Sequence, residues 1–413
     1  MYRKSESRKT LLLIILTVLT CPTIAQDFTE SSSPKSNEPF SLDMDGIYAI
    51  VGSPGNETDQ NQDNEIDRAG AAFIYRQNSN GGWDLMQKIV ASDRGNQDQF
   101  GYDVGISSEG YAVVGTRTED AAYFFELNDN NWEEIQKIEG PAFQSFGESV
   151  AMHQDKALIG DPGEDDFVGA AYLYQRDGNT GQWVEVRQII PPSSEQQSFG
   201  RALDISNQYI VVGAPDLDAS LTEPNVGAVY AFSAGDGTPA GVLSFPNLEP
   251  GDRMGTTVAI SGGTAIVGIP EHPLDENGAD DQNAQNDGLL HPGIVSIFTA
   301  PGWDLQKIVS PDRDPNDQFG IWVDIQGTTA IAGANQEGLD ADGGDFKAFA
   351  GLGYILEQSG NVWSVVDRID ASDRDPFDEF GLRVAIGDFG ACVIGDDKTY
   401  FYNRCIESEI TDL

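Results

Sequence analysis

Residues 198–216 read SFGRALDISNQYIVVGAPD, and the interpretation of this stretch decides the fold. It holds a Phe-Gly start, an alternating run, a short polar break, an apolar run and a closing Gly-Ala-Pro. Ala202, Asp204 and Ser206 fall on one side and Leu203 and Ile205 on the other, the period of two that a pleated strand imposes. Ser206-Asn207-Gln208-Tyr209 is short enough for a hairpin turn. Tyr209 to Val212 is apolar and largely β-branched, as a buried second strand would be.

The chain repeats this stretch. Matching copies begin at Phe100-Gly101, Phe146-Gly147, Met254-Gly255, Phe319-Gly320 and Phe380-Gly381, and a degenerate first copy runs from Phe40 to Gly52 without the Phe-Gly. The second-strand glycines, Gly52, Gly115, Gly160, Gly213, Gly268, Gly333 and Gly395, lie 45 to 65 residues apart. A third strand follows most of them (GAAFIY at Gly70, GAAYLY at Gly169, GAVYAF at Gly227). A fourth opens on tryptophan and ends in Lys-Ile or similar (WDLMQKI at Trp83, WEEIQKI at Trp132, WDLQKI at Trp303). Four short strands per unit at this spacing is the arithmetic of propeller blades. The expectation is an all-β chain, a seven-bladed β-propeller of four-stranded antiparallel blades.

The paired Phe-Gly and Val-Gly-Ala-Pro signatures resemble the FG-GAP repeat, the blade of the integrin α-subunit head. The tryptophan strand followed by ASDR…DQFG is most similar to the secreted bacterial form of that repeat. The likeness covers about Ser41 to Arg404, and what it implies is a binding or adhesion platform. It does not carry over the family's calcium sites. Those lie between the Phe-Gly strand and the Gly-Ala-Pro strand, and here those connections, such as ISNQYI at Ile205 and ISGGTA at Ile260, have no ladder of carboxylates.

Composition narrows the partners. With 67 Asp and Glu against 24 Lys and Arg, the net charge is −43, which argues against nucleic acid and against anionic membranes. Residues 1–25 read as a signal peptide: Arg3, Lys4, Arg8 and Lys9 precede the apolar run Leu11 to Leu19, and Thr23-Ile24-Ala25 offers a cleavage site. That run is well short of the roughly 20 residues of a membrane span. Residues 26–40 form a flexible lead-in or a ring-closing strand, and 41–413 the propeller. Closure falls either to the segment before Ser41 or to Ile406–Thr411. Cys392 and Cys405 are too few for a disulfide scaffold. A last hairpin turning near Asp397 sets Cys392 opposite Tyr402, out of register with Cys405.

Function is expected in the loops between second and third strands. In the first unit Asp59, Asn61, Asp63, Asn64 and Asp67 offer oxygen at alternate positions, the pattern that wraps Ca²⁺, with Asn64 where a left-handed residue is needed and no bidentate Glu at the twelfth position. A solvated acidic loop is the alternative. Asp340, Asp342 and Asp345 in the sixth unit, and Asp275, Asp280, Asp281 and Asp287 in the fifth, are weaker metal candidates. His272 and His291, with Asp280 or Asp281, could hold a transition metal. Phe346 and Phe349, in the acidic sixth loop, are the candidate ligand-contacting rings. The recurring Asp93/Asp98, Asp312/Asp317 and Asp373/Asp378 read as turn caps, with Arg94, Arg313 and Arg374 paired to nearby carboxylates. No nucleophile motif, phosphate loop or dinucleotide fingerprint occurs. The reading is a secreted, monomeric, non-enzymatic propeller binding an extracellular protein or glycan, with Ca²⁺ as its one candidate cofactor. A structural cell-envelope component and a hydrolase using the acidic loops are the alternatives.

Overall fold

The computed structural model describes residues 28–29, 39–141, 144–220, 224–274, 279, 291–312, 314–395 and 398–403. The leader, Arg313, Cys405 and Ile406–Thr411 lie outside the described residues. Seven four-stranded antiparallel sheets form a seven-bladed β-propeller. In the first blade, Ser41–Asp45, Tyr48–Ser53, Ala71–Gln77 and Trp83–Ile89 pair in chain order, from the innermost strand outward. Blades two to six repeat this between residues 104–139, 149–189, 203–243, 257–308 and 323–369.

The seventh blade closes the ring. Arg383–Gly387, Gly390–Gly395 and Lys398–Asn403 supply three strands, and Phe28–Thr29 adds the outer one, with Phe28 opposite Phe401 and Thr29 opposite Tyr400. The segment before Ser41 therefore covers an edge that the last blade would otherwise expose. In the final hairpin Cys392 stands opposite Phe401, one residue from the expected register, and is fully buried. Trp83 of the first blade stacks on Phe401 of the seventh, 5.4 Å between centroids.

The signature residues hold neighbouring blades together. Phe100, Phe199, Phe319 and Phe380 have no exposed surface, a burial worth about 1.5–3 kcal/mol each. Each meets a third-strand tyrosine of its own blade, such as Phe319 on Tyr354 at 5.1 Å. The two glycines of the repeat are one contact seen from two blades. A Cβ on Gly213 would lie 2.0 Å from the carbonyl oxygen of Gly255 in the next blade, and Gly255 itself has φ +96°. Neither position tolerates a side chain without moving a backbone. The approach recurs from Gly52 to Gly101 and from Gly268 to Gly320.

The tryptophan strands explain themselves in the same way. Gln87 Nε2 donates to Trp132 O (2.9 Å), and Gln87 Oε1 accepts from Trp132 N (2.8 Å). Gln136 clasps Trp183, and Gln306 clasps Trp363, through the same two atoms. One glutamine amide thus replaces a strand between outer strands that have splayed apart. The indoles pack edge-on against a tyrosine of the preceding blade, as Trp132 does on Tyr48 at 5.7 Å. These tryptophans serve blade-to-blade packing, as their repetition suggested.

Candidate binding face and channel mouth

Antiparallel order fixes which loops share a face. Inner strands begin, second strands end and third strands begin at one end of the ring, so the described connecting residues 54–70, 215–220, 224–227, 270–274, 291–293 and 335–351 lie at that end of the ring, around one mouth of the axial channel. This is called the upper face below.

The acidic loops are held by the chain's own groups. In the first, the Asp59 carboxylate accepts from Asn61 N (2.8 Å), Asp63 N (3.0 Å) and the Asn64 side chain. The Asn64 amide, ahead of those backbone donors, holds its pKa below the usual range. Asn64 adopts the left-handed conformation its place requires, φ 48°. Asp67, however, turns to Gln97 of the next connection (3.1 Å). Two cations pin the same loop. Lys88 Nζ donates to Asn56 Oδ1 (2.8 Å), Thr58 O (3.0 Å) and Thr58 Oγ1 (2.7 Å), and Arg94 to Asn64 O (3.1 Å) and Glu57 O (2.7 Å). Burial presses the Lys88 pKa down to about 8.

The sixth loop repeats the arrangement. Asp340 accepts from Gly344 N (2.7 Å) and Asp345 N (3.0 Å), Asp342 falls inside that turn, and Arg374 donates to Asp345 O (2.8 Å) and Leu339 O (2.7 Å). The repeated arginines therefore grip backbone carbonyls rather than the expected carboxylates, because the loop turns its carbonyls inward and its acids outward. Among the described residues, no three His, Cys, Asp or Glu side chains converge where a metal could be held. Asp275, Asp280, Asp281 and Asp287 lie outside the described residues. His272 is buried against Phe245 and bonds Asp252 (2.8 Å), while His291 bonds the Glu271 carbonyl (2.8 Å). Asp98, Asp317 and Asp378 do cap turns, accepting from the amides of Gly95, Asp314 (2.7 Å) and Asp375 (2.5 Å).

Exposed rings crowd the same face. Phe349 and Phe377 stack at 5.6 Å, both at positive φ (55° and 72°). Phe346 and Phe377 are 66% and 64% exposed. Left-handed φ is costly for a bulky residue and persists only where the surroundings impose it. Here the 348–349 and 377–379 segments impose it by bonding each other, Phe377 N to Ala348 O and Glu379 N to Phe349 O, both 3.0 Å.

At the channel mouth lies a cavity of about 250 Å³ whose walls follow one rule. Apart from Leu203 and Val258, one place further on, they come from the two residues after each Phe-Gly: Tyr102-Asp103, Glu148-Ser149, Arg201-Ala202, Thr256-Thr257, Ile321-Trp322 and Arg383, with Phe40-Ser41 equivalent in the first blade. A ladder of cations and rings runs round this rim. Arg117 lies over Tyr102 (5.2 Å), Tyr102 against Phe40 (4.7 Å), and Arg383 between Phe40 (5.0 Å) and Trp322 (4.2 Å). Trp322, which stands outside the tryptophan-strand pattern, thus faces the channel. Arg201 pairs with Glu148 at 2.5 Å, and both also line an adjoining cavity of about 450 Å³ between the third and fourth blades.

A family profile described as FG-GAP repeat matches residues 83–128, 132–174, 183–232 and 303–348. The chain carries FG-GAP repeats. No curated protein matches it. Each matched stretch begins at a tryptophan strand and runs into the next blade, so an FG-GAP repeat straddles two blades, with its Phe-Gly at the seam. The two positions after Phe-Gly are the signal that would have found the mouth. They sit at a fixed place in every FG-GAP repeat yet carry a different pair each time.

Below the mouth, inner-strand carboxylates stitch blades together. Asp43 accepts from Ile106 N (2.7 Å), Asp103 from Val150 N (2.8 Å), Asp204 from Ile260 N (2.6 Å) and Asp324 from Ile386 N (2.7 Å), each in the next FG-GAP blade. Burial within the ring raises them all, Asp103 to about 7, Asp204 to about 8 and Asp324 to about 6. Asp161 departs from the FG-GAP pattern, replacing the Ala of Gly-Ala-Pro. It is fully buried, and neither carboxylate oxygen finds a donor in hydrogen-bonding geometry. Burial, then the charges of Glu164 and Asp120, push its pKa up to about 8. Asp317 and Glu337 form a buried pair, both raised by burial.

Proposed function

We propose that this FG-GAP protein is an exported, non-enzymatic recognition propeller that binds an extracellular protein or glycan through its upper face. One observation carries the reading: the long loops, the exposed phenylalanines and the two cavities that Glu148 and Arg201 share fall on the same face. Contiguous exposed apolar rings rimmed by polar loops are characteristic of interaction surfaces. The buried pair Asp317 and Glu337 is enclosed, at 3% and 0% exposure, which keeps it from a substrate. No helix among the described residues is long and apolar enough to cross a membrane. The test is cross-linking of the purified protein to extracellular protein and glycan fractions. It is repeated with residues 57–66 or 339–347 replaced by Gly-Ser, and with turn 78–81 on the opposite face replaced as control. Loss in the first two and retention in the third supports the proposal. Equal behaviour of all three contradicts it.

A further inference from the structure

The channel mouth gathers arginines in a chain dominated by acids. In a protein of net charge −43, two guanidinium groups, Arg201 and Arg383, line one cavity of about 250 Å³, and a third, that of exposed Arg117, lies over Tyr102 of its wall. Only Arg201 has an ion-pair partner there, Glu148. Arg383 donates a single hydrogen bond, from Nη1 to Leu382 O at 2.9 Å, and neither it nor Arg117 meets a carboxylate at ion-pair distance among the described residues. Arg383 is only partly buried and its remaining donors are not sealed from solvent, so they are open to an acceptor that enters the cavity. The rings of Phe40 and Trp322, at 5.0 and 4.2 Å, set the Arg383 plane between them and cannot themselves accept its in-plane N–H groups.

We propose that the mouth is a carboxylate-binding site, in which Arg383 receives a single carboxylate of the ligand and Arg117 flanks it. Charge selects the class. The cavity's own lining balances, Arg201 and Arg383 against Asp103 and Glu148, and Arg117 beyond Tyr102 supplies one further positive charge at its edge. That suits a monoanion and opposes a phosphate dianion. Shape agrees, since a planar guanidinium fork matches a carboxylate in two parallel hydrogen bonds. The cavity admits about one amino-acid side chain or one sugar ring, so the carboxylate arrives on a glutamate-like or a uronate-like group. The inference rests on the upper face being the recognition face and names what its centre takes.

The test is calorimetric titration of the purified protein with acetyl-glutamate-amide and with methyl glucuronide. Acetyl-glutamine-amide, methyl glucoside and inorganic phosphate serve as controls. Either acidic probe should bind at least about tenfold tighter than its neutral analogue and than phosphate, the gain expected of charge-assisted pairing. Whichever acidic probe binds identifies the source of the carboxylate. Arg383→Lys should weaken binding by losing the fork while keeping the charge, Arg383→Met should abolish it, and Arg117→Met, at an exposed residue, should weaken it without affecting folding. The idea is overturned by no heat with either acid at millimolar concentration, by phosphate binding as well as carboxylate, or by indifference to Arg383→Lys and Arg117→Met. Should Arg383→Met not fold, the other two variants decide. If no carboxylate binds but loop replacement still removes the macromolecular partner, this inference fails and the recognition reading stands.

Discussion

At the outer seams of the ring, Gln87 holds Trp132, Gln136 holds Trp183 and Gln306 holds Trp363, each by the same pair of hydrogen bonds. At the channel mouth, the residues after Phe-Gly stand at one repeated backbone position, and no two blades carry the same pair, although Ser41 and Ser149 share the second place and bond the next blade's glycine carbonyl alike. Both regions come from the same repeat. Where a repeated position carries the same residue, geometry between blades demands it: a glycine against a carbonyl, a glutamine across splayed strands. Where the backbone repeats and the residue does not, packing has left the choice open. Seven blades can then point seven side chains at one axis.

The difference can be broken by moving a side chain into the seam. Gly213→Val should have the largest effect, a loss of about 3 kcal/mol or failure to fold, because its Cβ meets a carbonyl that the next blade cannot withdraw. A thermal melt reads it, and a melting temperature equal to the parent's would refute the seam contact. Gln136→Ala comes next. It leaves the N–H and C=O of Trp183 without their partners, which costs about 2 kcal/mol in denaturant unfolding.

Asp161 sharpens the comparison, since it is a seam position carrying the wrong residue. Its folded pKa is raised above the unfolded value, so the folded state binds the extra proton. The stabilisation is complete below about pH 4 and is lost as pH rises toward about 8. Asp161→Ala restores the Gly-Ala-Pro motif. Its melting temperature should exceed the parent's at pH 8, with the difference shrinking steadily down to pH 4. A difference independent of pH would show that the carboxyl is not held protonated.

The smallest effect should be that of calcium. Lys88 and Arg94 already take up loop oxygens, and the Asp59 carboxylate is satisfied by loop amides. Exchanging EDTA for millimolar Ca²⁺ should leave the melting temperature unchanged. A rise that disappears in Asp63→Ala would instead make the first loop a metal site by mass action.

What could be read from the sequence follows the same division. Phe100, Gly213, Trp132 and Tyr209 recur at blade spacing because each has one job, so the architecture was legible. The closing strand was not, since Phe28–Thr29 is too short to show an alternation. The spacing of Asp59, Asn61, Asp63 and Asn64 suits a cation, and the same residue types equally suit capping of their own loop amides, as the Asp59 bonds to Asn61 N and Asp63 N illustrate. Trp322 and Arg383 are far apart in sequence and meet only because the ring brings blades six and seven together.

The most direct test of the central claim is a binding array of acidic peptides, uronate glycans and their neutral counterparts. It is probed in parallel with the parent protein, Arg383→Lys, and Gln136→Ala at a temperature where that variant is folded. The account predicts carboxylate-bearing spots only, weakened in Arg383→Lys and unchanged in Gln136→Ala. Spots that ignore the carboxylate, or that weaken with the seam variant and not with Arg383→Lys, would contradict it.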